Sequence, residues 1–320
     1  MYYSKLSNFP DAIPSPYEKQ IELDLKRTFP SDEYFQKPET LQSLKNVLLA
    51  YSRRNITIGY YQGFNFIAGL LLKTLENEED TFWVFTQLIE EILPINYFSE
   101  LVGVIVDTSI LHILFKIQFK EMYEFLAEMN FEESLSNLLY KWLITMFISN
   151  LHNDLCMVIL DSLFLQGSIS LFYTTFGVFE MVKYEVFNCK EFEDLYFLFE
   201  QRLIEFNYPQ YIIFYCIIKD YEFNYDFLNQ KRLEYTPPVV EGIIEKNNER
   251  IEKLKKTSNK KNNRVSFVGE EQFHCQKDWP ICIYDLTYKY DTLFNFLVLQ
   301  IGEKINIIEN YFFSECFKKN

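Results

Sequence analysis

The sequence predicts an all-α protein, an irregular array of many short helices, on three observations. Apolar residues recur at helical spacing along nearly the whole chain. Period-two strands and hairpin dipeptides are hard to find. A composition that is 48% hydrophobic, with 32 Phe and 23 Tyr among 320 residues, supplies an extensive core for one large domain or two smaller ones. No internal repeat is visible.

The first element is IELDLKRTFP, residues 21–30. Ile21 and Leu25 stand one turn apart and face a core. Asp24 and Arg27, three apart, are neighbours on the helix surface. Pro30 disfavours helical geometry at Phe29, so the helix should end there with Arg27 in its last turn. A second helix opens at Pro38 and shows Leu41, Leu44, Leu48 and Tyr51 on one face.

Residues 56–72 read ITIGYYQGFNFIAGLLL. Gly59, Gly63 and Gly69 fall within it, a third of the 9 glycines in the chain. Glycine permits unusual φ/ψ and close approach, and Gln62 lies between Tyr61 and Gly63 at the mouth of an apolar helix. Asp80 is placed to cap the next helix, with Phe82, Phe85, Ile89 and Ile92 on its face and Pro94 at its end. The stretch 138–151 is apolar nearly all round and should be central. Asn153 or Asp154 then caps a helix that stops before Gly167, and 162–179 reads as a buried helix pair joined at that glycine rather than a membrane span. A last amphipathic helix runs through Phe192, Leu195, Phe199 and Leu203.

The composition changes after about Gln230. TPPVV, 236–240, reads as a stop, and from Arg250 to Arg264 seven Lys/Arg stand against one Glu. The expected organisation is a domain over 1–235, a basic flexible linker over 236–270 and a helical extension over 271–320. KKNNRVSF closes the basic run; Arg264, Val265, Ser266 and Phe267 resemble the short R-V-x-F docking motif for type 1 protein phosphatases, a four-residue match of a kind common by chance.

A net charge of −14 argues against a nucleic-acid surface and suits a basic protein partner. Six scattered cysteines, mostly in apolar runs, suit a reduced intracellular protein rather than a disulfide framework. His274, Cys275 and Cys282 match no zinc spacing, so no metal is expected. MYYSKLSNFP lacks the basic start and apolar run of a signal peptide. No nucleophile triad, dinucleotide fingerprint or phosphate loop is visible.

Taken singly, the Arg27 and Gln62 segments read as an ordinary surface pair and an ordinary helix start. Together they resemble the two signature motifs of the TBC domain, the GTPase-activating domain for Rab-type small GTPases. Ile21, Asp24 and Arg27 fill I-x-x-D-x-x-R, followed by TFP; Tyr60, Gln62 and Gly63 fill Y-x-Q-G, with Tyr61 at the variable position and Phe64 and Asn65 after it. Downstream, Trp142, Phe147, Asp161, Phe164 and Gly167 match W-x-x-x-x-F and W-D-x-x-F-x-x-G, with Leu160 where the family commonly has Trp. The resemblance covers roughly residues 15–205. An R-x-x-x-W motif usually found upstream is missing, and MYYSKL resembles at most the tail of that region.

The resemblance implies two helical subdomains with a groove between them. It implies dual fingers inserted in trans, Arg27 on the phosphates and Gln62 on the attacking water, with Ile21, Asp24, Tyr60, Tyr61, Gly63, Phe64 and Asn65 binding the GTPase or supporting the fingers. The partner is a Rab-type GTPase in its GTP form, which carries GTP and Mg²⁺, so the chain has no cofactor and no reaction of its own. The implied setting is vesicle traffic, cytoplasmic or peripheral at endomembranes, without nucleic acid or a transmembrane segment. Two other readings stay open: a TBC-like scaffold that binds a GTPase without accelerating it, and a plain helical interaction protein.

Overall fold

The computed structural model describes residues 2–7, 15–94, 96–151, 153–205 and 224–261. Its chain divides into two units, Met1–Ile251 and Glu252–Asn320. Among the described residues of the first unit the regular structure is all helical.

The first group of helices builds the layer that carries the motifs. α1 (Tyr2–Ser7) lies against α3 (Pro38–Arg54) and α5 (Glu78–Gln87). Tyr3 is buried and its hydroxyl donates to Glu78 at 2.7 Å, while Arg53 donates to the Leu6 carbonyl. The Arg54 guanidinium, paired with Glu90 at 3.0 Å, lies over the Tyr2 and Trp83 rings. Thus Tyr2, Tyr3 and Leu6 are built into the domain by specific contacts. α2 (Glu18–Leu25) and α4 (Phe64–Leu75) both pack on α3, whose Leu44, Leu48 and Tyr51 form the expected buried face. Asn77, not Asp80, caps α5: its carboxamide oxygen accepts from the Asp80 N–H at 3.0 Å. Three acidic residues in the first turn, Glu78, Glu79 and Asp80, then complement the helix dipole. A π turn, Leu88–Ile92, follows, and the chain leaves it before Pro94.

The second group comprises α6 (Val102–Gln118), α7 (Lys120–Glu128), α8 (Glu132–Ile144), α9 (Asn153–Gln166), α10 (Ile169–Val182) and α11 (Phe192–Glu205). The central stretch 138–151 is buried as expected but is not one helix. α8 stops at Ile144, because Met146 and Phe147 take left-handed backbone (φ 50° and 64°). That reversal stacks Phe147 on Trp142, ring centroids 5.5 Å apart. Gly167 (φ 67°) joins α9 to α10, as the sequence indicates. No helix among the described residues is long and apolar enough to cross a membrane.

The expected stop at TPPVV is absent. One helix, α12 (Tyr225–Lys261), runs through Pro237 and Pro238, so 236–261 is helix where a linker was expected. Proline's fixed φ suits a helix; its cost falls on the preceding turn, where two carbonyls lose their donors. That turn is held independently. Leu228 is buried, and Arg232 is fixed by Asp107 and Ser168. The Arg264–Phe267 motif, His274, Cys275, Cys282 and the 271–320 extension lie outside the described residues.

Candidate functional site

α2 is short because its sequence turns it off sharply. Ile21, Asp24 and Leu25 are buried, and the helix ends at Leu25 rather than at Phe29. The Arg27 N–H then donates to the Asp24 carbonyl and the Thr28 N–H to that of Leu25, closing a tight turn. Phe29, before Pro30, escapes into left-handed backbone (φ 45°), and its ring packs on Phe35 and Phe66. Arg27 is therefore on a braced turn just beyond α2. Its side chain is 47% exposed, while that of Asp24 is 1% exposed, and Arg27 Nη2 meets Asp24 Oδ1 at 2.6 Å.

The Asp24 carboxylate is the hub of the site. Tyr60 Oη donates to its Oδ2 at 2.7 Å and Gln20 Nε2 to its Oδ1 at 2.9 Å. A buried carboxylate is tolerable only when it is paired and its lone pairs are satisfied, and this one is. Burial raises the Tyr60 hydroxyl well above its ordinary range, and the Asp24 bond raises it further, so the phenol stays a donor. Thr28 Oγ1 donates to the Asp24 carbonyl at 2.8 Å and accepts from Asn65 Nδ2 at 2.8 Å. Asn65 Oδ1 in turn accepts the Gly63 N–H at 3.2 Å. The turn after α2 and the start of α4 are thereby one hydrogen-bonded unit.

Gln62 stands on that unit, in the turn before Phe64. It is exposed, and among the described residues its carboxamide has no hydrogen-bond partner. The two exposed motif residues, Arg27 and Gln62, thus share one buried framework of Ile21, Asp24, Tyr60, Gly63, Phe64 and Asn65. Tyr61 is half-buried beside Phe64 and Phe98.

The glycines Gly59 and Gly63 are set by internal neighbours of the framework. Gly63 is buried at φ 117°, and a Cβ there would lie 3.1 Å from the Ile144 carbonyl and 3.3 Å from Thr145 Cγ2. Gly59 (φ 65°) lies where a Cβ would run into the Tyr17 ring. Gly63→Ala is expected to destabilise the fold by about 2 kcal/mol, since only glycine is comfortable at that φ and the helix end behind it is backbone. Urea unfolding checks this; an unchanged midpoint would refute the strain.

Sequence reasoning missed three supporting residues. Gln20 and Thr28 stand four residues either side of Asp24, a spacing that marks helical neighbours and could have found them. Phe98, 4.7 Å from the Phe64 ring, had no local signal. Of the downstream motif residues, Trp142 and Phe147 are fully buried and belong to the core, and Leu160, where a Trp is common, is buried too. Gly167 admits Tyr225 of α12: a Cβ there would lie 1.9 Å from its hydroxyl. Cys156 and Cys189 are free thiols; burial pushes Cys156 up to about 12, leaving it unreactive. Among the described residues no group of three or more His, Cys, Asp or Glu is placed to hold a metal ion.

The site is thus two exposed polar side chains, Arg27 and Gln62, on a shared buried brace in an all-helical array. The family model for the Rab-GTPase-TBC domain matches residues 2–187, more than half of the chain. The chain belongs to the Rab-GTPase-TBC domain family. It is 33% identical over 180 residues to TBC1 domain family member 2B of Xenopus tropicalis, covering 55% of this chain and 19% of that protein. It is 34% identical over 175 residues to Growth hormone-regulated TBC protein 1 of Xenopus tropicalis, covering 54% and 51%. The chain thus spans about a fifth of the first relative and about half of the second. Among solved structures, the Chlamydomonas flagellar RabGAP TBC domain superposes with a TM-score of 0.61 at 26% identity, covering 69% of this chain and 72% of that one. The Ypt/Rab-GAP domain of Gyp1p, at 18% identity and a TM-score of 0.58, shares the fold, with 67% and 76% covered.

Proposed function

We propose that this chain accelerates GTP hydrolysis on a Rab-type small GTPase by supplying Arg27 and Gln62 in trans, and so acts in vesicle traffic at membrane surfaces. The observation that carries the reading is the brace: one buried carboxylate, Asp24, holds the exposed Arg27 guanidinium and, through Tyr60, the turn that exposes Gln62. GTP hydrolysis needs an oriented water and neutralisation of charge on the γ-phosphate and leaving oxygen. An arginine delivered in trans is worth roughly 10³–10⁵ in rate. Arg27 can give two oxygens parallel N–H bonds and remains charged. Gln62 offers both a donor and an acceptor to a water. Holding both groups before docking reduces the entropy lost at the transition state.

GTP and Mg²⁺ belong to the partner, and this chain contributes positioned side chains without a cofactor of its own. Its net charge of −14 suits a partner with a basic face. The buried members of the framework act as supports; the partner meets Arg27, Gln62 and the exposed part of Tyr61.

The experiment is single-turnover GTP hydrolysis by a panel of GTP-loaded Rab-type GTPases, with binding measured alongside. At least one member is expected to be accelerated by a factor of about 10³ or more, on the scale of an arginine supplied in trans. Binding without acceleration across the panel would leave a scaffold and refute the catalytic reading.

A further inference from the structure

The loop residues 96–101, ahead of α6, include three non-glycine residues in left-handed backbone: Asn96 (φ 63°), Glu100 (φ 49°) and Leu101 (φ 59°). Such residues persist only where the surroundings over-determine them. The front of this loop walls the Gln62 turn. The Phe98 ring lies 4.7 Å from Phe64 and 6.1 Å from Tyr61. Burial raises the Tyr61 phenol, the Glu100 carboxylate adds to the rise, and a backbone group of Glu100 opposes it.

The back of the loop is held by α6 and α12. Gly103 is pressed onto Tyr97, where a Cβ would lie 2.6 Å from its Cα, and the Gly103 N–H donates to the Asn96 carbonyl at 3.3 Å. The Tyr97 hydroxyl is buried without a hydrogen-bond partner among the described residues and feels the charges of both Asp107 and Arg232. Asp107, four residues past Gly103, is fully buried and receives Arg232 Nε and Nη2 at 2.8 Å each, a bidentate pair. Arg232 Nη2 also donates to Ser168 Oγ at 2.9 Å. A cavity of about 230 Å³ separates α12 from the loop, lined by Asn96, Glu100, Asp107, Arg232 and Thr236 among others. The fork is therefore the strong link at a loosely filled seam, and α12 lies beyond the residues that the family model matches.

We propose that Arg232 is a positioning residue for Gln62. By gripping Asp107 it seats α12 and the start of α6 behind loop residues 96–101, whose front sets Tyr61 and the turn beside it. The proposal deepens the reading of Gln62 given above and rests on it.

The test is a double-mutant cycle on the panel member that the wild type accelerates most, joined to hydrogen–deuterium exchange on the full chain alone. Arg232→Met is expected to lower the single-turnover rate at saturating activator at least tenfold, and under the same conditions to add nothing to Gln62→Ala, because the chemical step is reached through that residue. Amide exchange is expected to quicken over 96–103 and 60–63, with 18–25 unchanged. Arg232→Lys, which keeps the charge and loses the fork, is expected to fall between the two and carries the test if Arg232→Met does not fold. Additive losses in the cycle, or faster exchange confined to α12, would overturn the proposal. If no GTPase is accelerated, the catalytic reading fails by itself, and exchange spreading or not spreading to 60–63 still decides whether Arg232 sets that turn.

Discussion

Arg27→Ala is expected to remove nearly all acceleration, a loss of about 10³–10⁵ in single-turnover rate, while the GTPase is still bound. Arg27→Lys should do almost the same. Lysine keeps the charge but is a point charge on a flexible stem. It cannot span two phosphate oxygens, nor keep one edge on Asp24 while offering the other. The structure makes the test readable. Arg27 is about half exposed, and Asp24 keeps donors from Tyr60 and Gln20 when the guanidinium is gone, so the α2 turn should survive. Single-turnover rates with binding and thermal unfolding in parallel separate the cases. Near-full activity in Arg27→Lys would rule the arginine out as a finger.

The second large effect belongs to Gln62. An activator that supplies only an arginine still needs the GTPase's own switch glutamine; one that supplies both does not. A partner whose switch glutamine is changed to alanine is therefore expected to remain strongly accelerated by the wild-type chain. Gln62→Ala should abolish that residual acceleration, with a loss on the order of 2–4 kcal/mol in transition-state stabilisation, the scale of a lost preorganised donor. Gln62 is exposed with no internal hydrogen bond among the described residues, so its removal should leave stability unchanged within about 0.5 kcal/mol. Four rates decide it: activator with and without Gln62, partner with and without its own glutamine. If the partner's glutamine alone matters, Gln62 is a docking residue and the chemistry rests on Arg27.

The local signals at these two residues, Asp24 three before Arg27 and the glycines around Gln62, read singly as a surface pair and a helix start; only the two motifs together, by their resemblance to the TBC signatures, single the residues out. The helical class is legible directly, because a period of 3.6 is written within a dozen residues. The local rules erred where two of them competed. Asn77 outcompetes Asp80 as a cap because a cap needs extended backbone before the first turn, and Asn77 has it (φ −139°, ψ 126°).

What the tertiary structure alone decided is the reason for each feature. Tyr60 reaches Asp24 across 36 residues, and Asn65 reaches Thr28 across 37. Gly63 is held at φ 117° with the end of α8 against it, a constraint that appears only once α8 is in place. α12 runs on through two prolines with Arg232, on the turn before them, gripping Asp107 across 125 residues. Spacing and propensity act over one or two turns, so a sequence can show them. A buried carboxylate's partners are chosen by desolvation, which has no meaning until distant helices have closed over it.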